Sequence, residues 1–222
     1  MSHPPLNEKE KFQLDRIALF SDAIFAIAIT LLIIEIKVPE LHSEPITDTA
    51  LAHELAHLMP KFIGFLVSFL VIGLYWLAHH RMFRFVTRSS QKLLWNNLLF
   101  MLPIVLMPFS TSFFSEYYSD SLRLPLLIYT VNILLAGLFS FRLWRIVYLP
   151  QNKLSVELSP VLFRFNATRA LIIPCFFLAA ILLSYINITL AYAIPPLAPL
   201  AGKFINWYYV KKYPNEMKKH LS

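Results

Sequence analysis

Six apolar stretches set the limits on this chain: residues 17–38, 62–80, 95–114, 125–148, 167–186 and 189–209. Each runs for about 19–24 residues. A helix rises 1.5 Å per residue, so each can cross a hydrocarbon core of about 30 Å. Together they consume most of the 222 residues and leave no stretch long enough for a soluble domain. Composition agrees: 57% of residues are apolar or aromatic and only 15% are charged, against about 25% in ordinary soluble domains. The expected fold is an all-α membrane protein with six transmembrane helices per subunit. A single cysteine, Cys175, excludes a disulfide framework and a Cys-rich zinc site. It is expected as a small residue in the core of the fifth span. The four glycines are too few and too scattered for a phosphate-cradling loop or a carbonyl-built ion filter.

The basic residues orient the spans. Lys9, Lys11 and Arg16 precede the first. Arg81, Arg84, Arg88 and Lys92 join the second to the third. Arg142, Arg145, Lys153 and Arg164 join the fourth to the fifth. Lys211, Lys212, Lys218 and Lys219 follow the sixth. The opposite connections are poor in Lys and Arg, which places both termini in the cytoplasm. The net charge of +7 is then mostly topology, with some attraction to anionic membrane lipid. No basic element with interleaved aromatics is left over for nucleic acid. The first span is too long for a cleavable leader, and no small-residue cleavage site follows Val38.

Within the first span, Asp22 sits about one turn inside the membrane. A carboxylate there is costly and demands a partner. Six residues separate it from Arg16, about 120° around the helix, so a partner on another helix is expected. Three helices reach the same depth: the first with Arg16, Phe20, Ser21 and Asp22, the second with Trp76, His79 and His80, the third with Asn96 and Asn97. These residues are expected to form a polar network anchoring the first helix. The alternative is an interfacial belt of aromatic and snorkelling groups. Outward of Asp22, no charge occurs before Glu35. Phe20, Ile24, Ile27, Leu31, Ile34 and Val38 recur at 4,3,4,3,4 spacing. Such a stripe suits self-association around an axis, or plain packing. Ala23, Ala26 and Thr30 flank it and permit close helix approach.

The run Arg16-Ile17-Ala18-Leu19-Phe20-Ser21-Asp22, followed by Ala23 to Thr30, resembles the Arg-xxx-Phe-Ser-Asp signature of the transmembrane protein 175 family of lysosomal and prokaryotic potassium channels. The resemblance implies a single-repeat prokaryotic form: a homotetramer whose first helices line a central pore, conducting potassium with modest preference over sodium and needing no cofactor. It implies a hydrophobic constriction at Ile27, further narrowing at Leu31 and Ile34, and a cation-preference layer at Thr30. A bacterial inner membrane is the expected location. A proton or cation secondary transporter is the runner-up, although carriers usually place charged or unwound elements at mid-membrane.

One motif points to different chemistry. His53-Glu54-Leu55-Ala56-His57 matches H-E-x-x-H, in which two histidines on one helical face bind zinc and the glutamate acts as base. Glu116 or Asp120 would be a third ligand. The 20-odd residues between Pro39 and Pro60 cannot build a protease cleft, so the expectation is a short outer helix with Leu51, Leu55 and Leu58 on one face and no metal. Prolines 103 and 108 are expected to bend the third span, and prolines 195, 196 and 199 to break the sixth. Glu40, His42, Glu44 and Asp48 form an acidic outer loop, read as a solvated face.

Overall fold

The computed structural model describes residues 8–39, 47–119, 121–155 and 158–221. Glu40, His42, Glu44 and Asp120 lie outside them. The described residues form helices α1 (Glu8–Ile34), α2 (Asp48–His57), α3 (Met59–Phe83), α4 (Gln91–Val105), α5 (Met107–Glu116), α6 (Leu124–Tyr148), α7 (Pro160–Ser184), α8 (Ile188–Ala193), α9 (Ala198–Lys212) and α10 (Pro214–Leu221). Six are long and apolar enough to span a membrane once α4 joins α5 and α8 joins α9.

Local chemistry explains the ends. Ser90, Ser159 and Asn187 cap α4, α7 and α8 by accepting the amide of the third residue on. Thr47 does the same for α2. Pro160 occupies the first turn of α7, where no N–H is needed. The described part of the first helix already includes Glu8, ahead of the apolar boundary near residue 17, and Glu8 and Glu10 suit a helix first turn in water. It stops at Ile34 rather than Val38, since a residue preceding Pro39 is steered toward extended backbone.

The third span breaks at Leu106, where Pro108 cannot donate to the carbonyl four residues back. Asn132 of α6 reaches into the break and donates to the Pro103 carbonyl at 3.0 Å and the Ser110 hydroxyl at 3.1 Å. The sixth span breaks at a 3-10 turn over Pro195–Leu197. The core lies between α1, α3, α4 and α6, around Phe25, Ile72, Phe100, Ile133 and Trp144. Helices α6 and α7 approach closest at Gly137: a Cβ there would lie 2.1 Å from Pro174 Cγ and 3.1 Å from the Ala170 carbonyl oxygen. Cys175 is exposed, correcting the core placement. Pro174 takes the inward position, and its successor is turned 100° away toward the lipid.

Candidate pore site

Two faces of α1 have opposite fates. Leu14, Ile17, Ser21, Phe25, Ala28 and Leu32 are buried against the rest of the subunit. On the other side Phe20, Ile27, Leu31 and Ile34 are 53%, 57%, 41% and 67% exposed. Ile24 is the exception in the stripe, half-buried against the core. Thr30 shares the exposed face. Its hydroxyl is 3.0 Å from the Ala26 carbonyl and 2.9 Å from that of Ile27. With its single hydrogen returned to the helix, the oxygen keeps its lone pairs for an outside cation or water.

The inner end of α1 is tied down by two separate polar links. In the first, the Trp76 indole N–H donates to an Asp22 carboxylate oxygen at 2.8 Å. In the second, His79 Nε2 meets Asn97 Oδ1 at 2.7 Å, Asn97 Nδ2 donates to Ser21 Oγ at 2.8 Å, and Ser21 Oγ donates to the Ile17 carbonyl at 2.9 Å. An amide oxygen only accepts, so this arrangement puts the proton of a neutral His79 on Nε2. The chain joins α3 to α4 to α1 with each donor used once. It is enclosed by aromatic rings: Phe25, Phe83 and Phe100 lie 5.7, 4.6 and 5.7 Å from the His79 ring. A polar relay dry on all sides holds its members in one geometry, because an unmade bond there has no water to replace it.

Other expected members stand apart. Arg16 does not reach Asp22; its guanidinium lies 5.9 Å from the Phe12 ring centre, on the exposed side. Phe20 faces away from the subunit. Asn96 turns back to the Lys92 carbonyl of its own helix at 2.7 Å, being 100° around α4 from Asn97. His80 is exposed and lies 5.9 Å from the Trp76 ring. The Phe cage was not anticipated, although His79 and Phe83 stand at the i,i+4 spacing that brings side chains together. Nor was the Ser89 hydroxyl bonding to Gln13 at 2.7 Å, a third tie between α1 and the rest of the subunit.

The rival motif is partly assembled. Ligand atoms of His53, Glu54 and His57 lie within 4.8 Å of one another, and the two imidazoles are 4.5 Å apart. Glu116 is not part of that group and pairs with Lys61. Helix α2 has no buried residue. Leu51 and Leu55 of α2 are exposed.

Comparison with known proteins identifies the family. The sequence profile of the family described as "Endosomal/lysosomal potassium channel TMEM175" matches residues 16–108, which take in α1 from Arg16 onward together with Ser21, Asp22, Trp76, His79 and Asn97. A protein of Chamaesiphon minutus named as a potassium channel is 32% identical over 194 residues, covering 83% of this chain and 91% of that one. A potassium channel of Streptomyces collinus is 40% identical over 105 residues, which span 47% of this chain and about half of that relative, 49%. The crystal structure of a lysosomal potassium-selective channel TMEM175 homolog from Chamaesiphon minutus superposes with a TM-score of 0.69 at 28% identity, covering 89% of this chain and 98% of that one. Sequence and fold thus converge, and the chain belongs to the TMEM175 family.

Proposed function

We propose that this chain is one subunit of a homotetrameric potassium channel, with α1 of each copy lining a central pore and both termini in the cytoplasm of a bacterium. It is a membrane channel subunit and not an enzyme. The observation that carries the reading is the divided α1: one face packed and hydrogen-bonded into the subunit, the other apolar, uncharged and uncovered from Phe20 to Ile34. The names of the relatives support potassium as the permeant ion. Four copies of Ile27, with Leu31 and Ile34 outward, would form a narrow apolar throat that sheds water and so gates conduction. Discrimination between potassium and sodium would come from the cost of partly stripping hydration water, with Thr30 oxygens replacing some of it. Asp22, fixed by Trp76, adds negative potential at the inner mouth and raises the local cation concentration.

Purified protein in planar bilayers tests this. Unitary currents are expected in potassium gradients, smaller in sodium. Ile27→Ala, which removes the bulk of the throat, is expected to raise conductance or leave the pore leaky. Unaltered conductance and gating in that variant, or saturable flux with no unitary current, would refute the assignment.

A further inference from the structure

A crevice of about 930 Å³ opens between α3, α7 and the broken α8–α9 segment, away from the pore face of α1. Its walls are largely apolar, among them Val67, Val71, Ile173 and Phe177. Toward the end of the bundle where α3 terminates, the lining changes character: Arg81, Arg169 and Lys203 enter it, from three different helices. Arg169 lies nine residues into α7, about 14 Å along its axis. Arg81 and Arg169 are half-buried and close enough for their like charges to act on one another. No carboxylate among the described residues pairs with either. Arg81 Nε is buried with no hydrogen-bond partner among the described residues, and the Arg169 guanidinium lies 5.3 Å from the Phe165 ring centre.

Two half-buried like charges that have no carboxylate partner among the described residues are well matched by an anion brought from outside. The anion must be able to enter a lipid-lined groove and must carry something apolar to fill it. We propose that the crevice binds an anionic phospholipid, its phosphate held between Arg81 and Arg169 and an acyl chain laid along α3 and α7. Arginine suits this task, since its planar donors match phosphate oxygens in pairs. A zwitterionic lipid brings a compensating cation of its own and satisfies the pair less well. The rim contribution of Lys203, exposed on α9, steers the head group in from the surface. Assignment to the cytoplasmic leaflet rests on the orientation proposed above; the site itself does not.

The test is native mass spectrometry of the intact purified protein, delipidated and then titrated with phosphatidylglycerol or phosphatidylcholine. The wild type is expected to retain phosphatidylglycerol preferentially. Arg81→Gln with Arg169→Gln should cut that retention by about 25-fold, at roughly fivefold per basic group. Gly202→Leu is the second variant: Gly202 lines the crevice and has nothing within 4 Å of an added Cβ, so leucine keeps both arginines and fills the acyl path. It should lower retention of phosphatidylglycerol without disturbing elution volume or helicity. Equal retention of the two lipids by the wild type would overturn the proposal. So would undiminished retention in both variants, or a map of the assembly in which a neighbouring subunit fills the crevice. Bilayer recordings report on the pore separately, so either reading can fail while the other stands.

Discussion

Replacing Asn97 by leucine isolates what the dry relay contributes. The two side chains are similar in size, so packing against α1 is kept while both amide hydrogen bonds go. Ser21 keeps its bond to the Ile17 carbonyl and loses one incoming donor. His79 loses its hydrogen-bonding partner at Nε2 and is only 4% exposed, surrounded by phenylalanines. A buried polar group left unpaired costs about 1–3 kcal/mol. At about 2 kcal/mol, and about 2–4 °C per kcal/mol for a chain this long, Asn97→Leu should lower the melting temperature of the detergent-purified protein by about 4–8 °C. A fluorescence-detected thermal scan measures this. The sharper check is the double variant Asn97→Leu with His79→Phe. If the loss arises from a stranded imidazole, removing that group recovers most of the stability, because replacing both partners by apolar groups of similar shape is nearly neutral. A single variant as stable as the wild type, or a double variant that falls by the sum of the two single losses, would refute the reasoning.

Three further outcomes follow from the same geometry. Gly137→Ala forces a methyl group onto the Pro174 ring; a rigid ring cannot yield, so destabilisation of about 1–3 kcal/mol and reduced yield of folded protein are expected in the same thermal scan, and an unshifted melting point would contradict it. Trp76→Phe removes the indole donor to Asp22 while keeping an aromatic ring; the carboxylate then lacks its charge-assisted bond, worth about 1.5–3 kcal/mol, and single-channel open probability should fall, an unchanged value counting against the anchoring role. His53→Ala with His57→Ala alters only exposed residues of α2, so currents should match the wild type, and metal analysis should give no stoichiometric zinc; bound zinc lost in this variant would reinstate a metal site.

The parts of this architecture governed by solvation were legible in the sequence. Six helices long enough to cross a membrane, the need of Asp22 for a partner on another helix, and the meeting of Trp76, His79 and Asn97 with the start of the first span all follow from counting depth along apolar segments. Rotation about each helix axis was much less so. Asn96 and Asn97 are chemically the same, and only the turn of α4 decides which one faces Ser21. The same applies to Cys175 beside the inward-facing Pro174, and to Arg16, which the helix carries around to Phe12. Hydropathy also placed the start of α1 too late, because it ranks Glu8 and Lys9 by their dislike of lipid and ignores their comfort in a helix that stands in water.

The distribution of fastenings along α1 has a mechanical corollary. Gln13, Ser21 and Asp22 carry its hydrogen bonds to α3, α4 and the segment joining them. Outward of Asp22 the helix leans on the subunit through Phe25, Ala28 and Leu32, all hydrocarbon, and Thr30 bonds only within α1. Hydrocarbon surfaces have no preferred angle of approach and can slip past one another without breaking anything directional. The fastened portion behaves as a clamped base and the free portion as a reed, so the constriction proposed at Ile27 to Ile34 would widen or narrow by small sliding movements while the base stays latched.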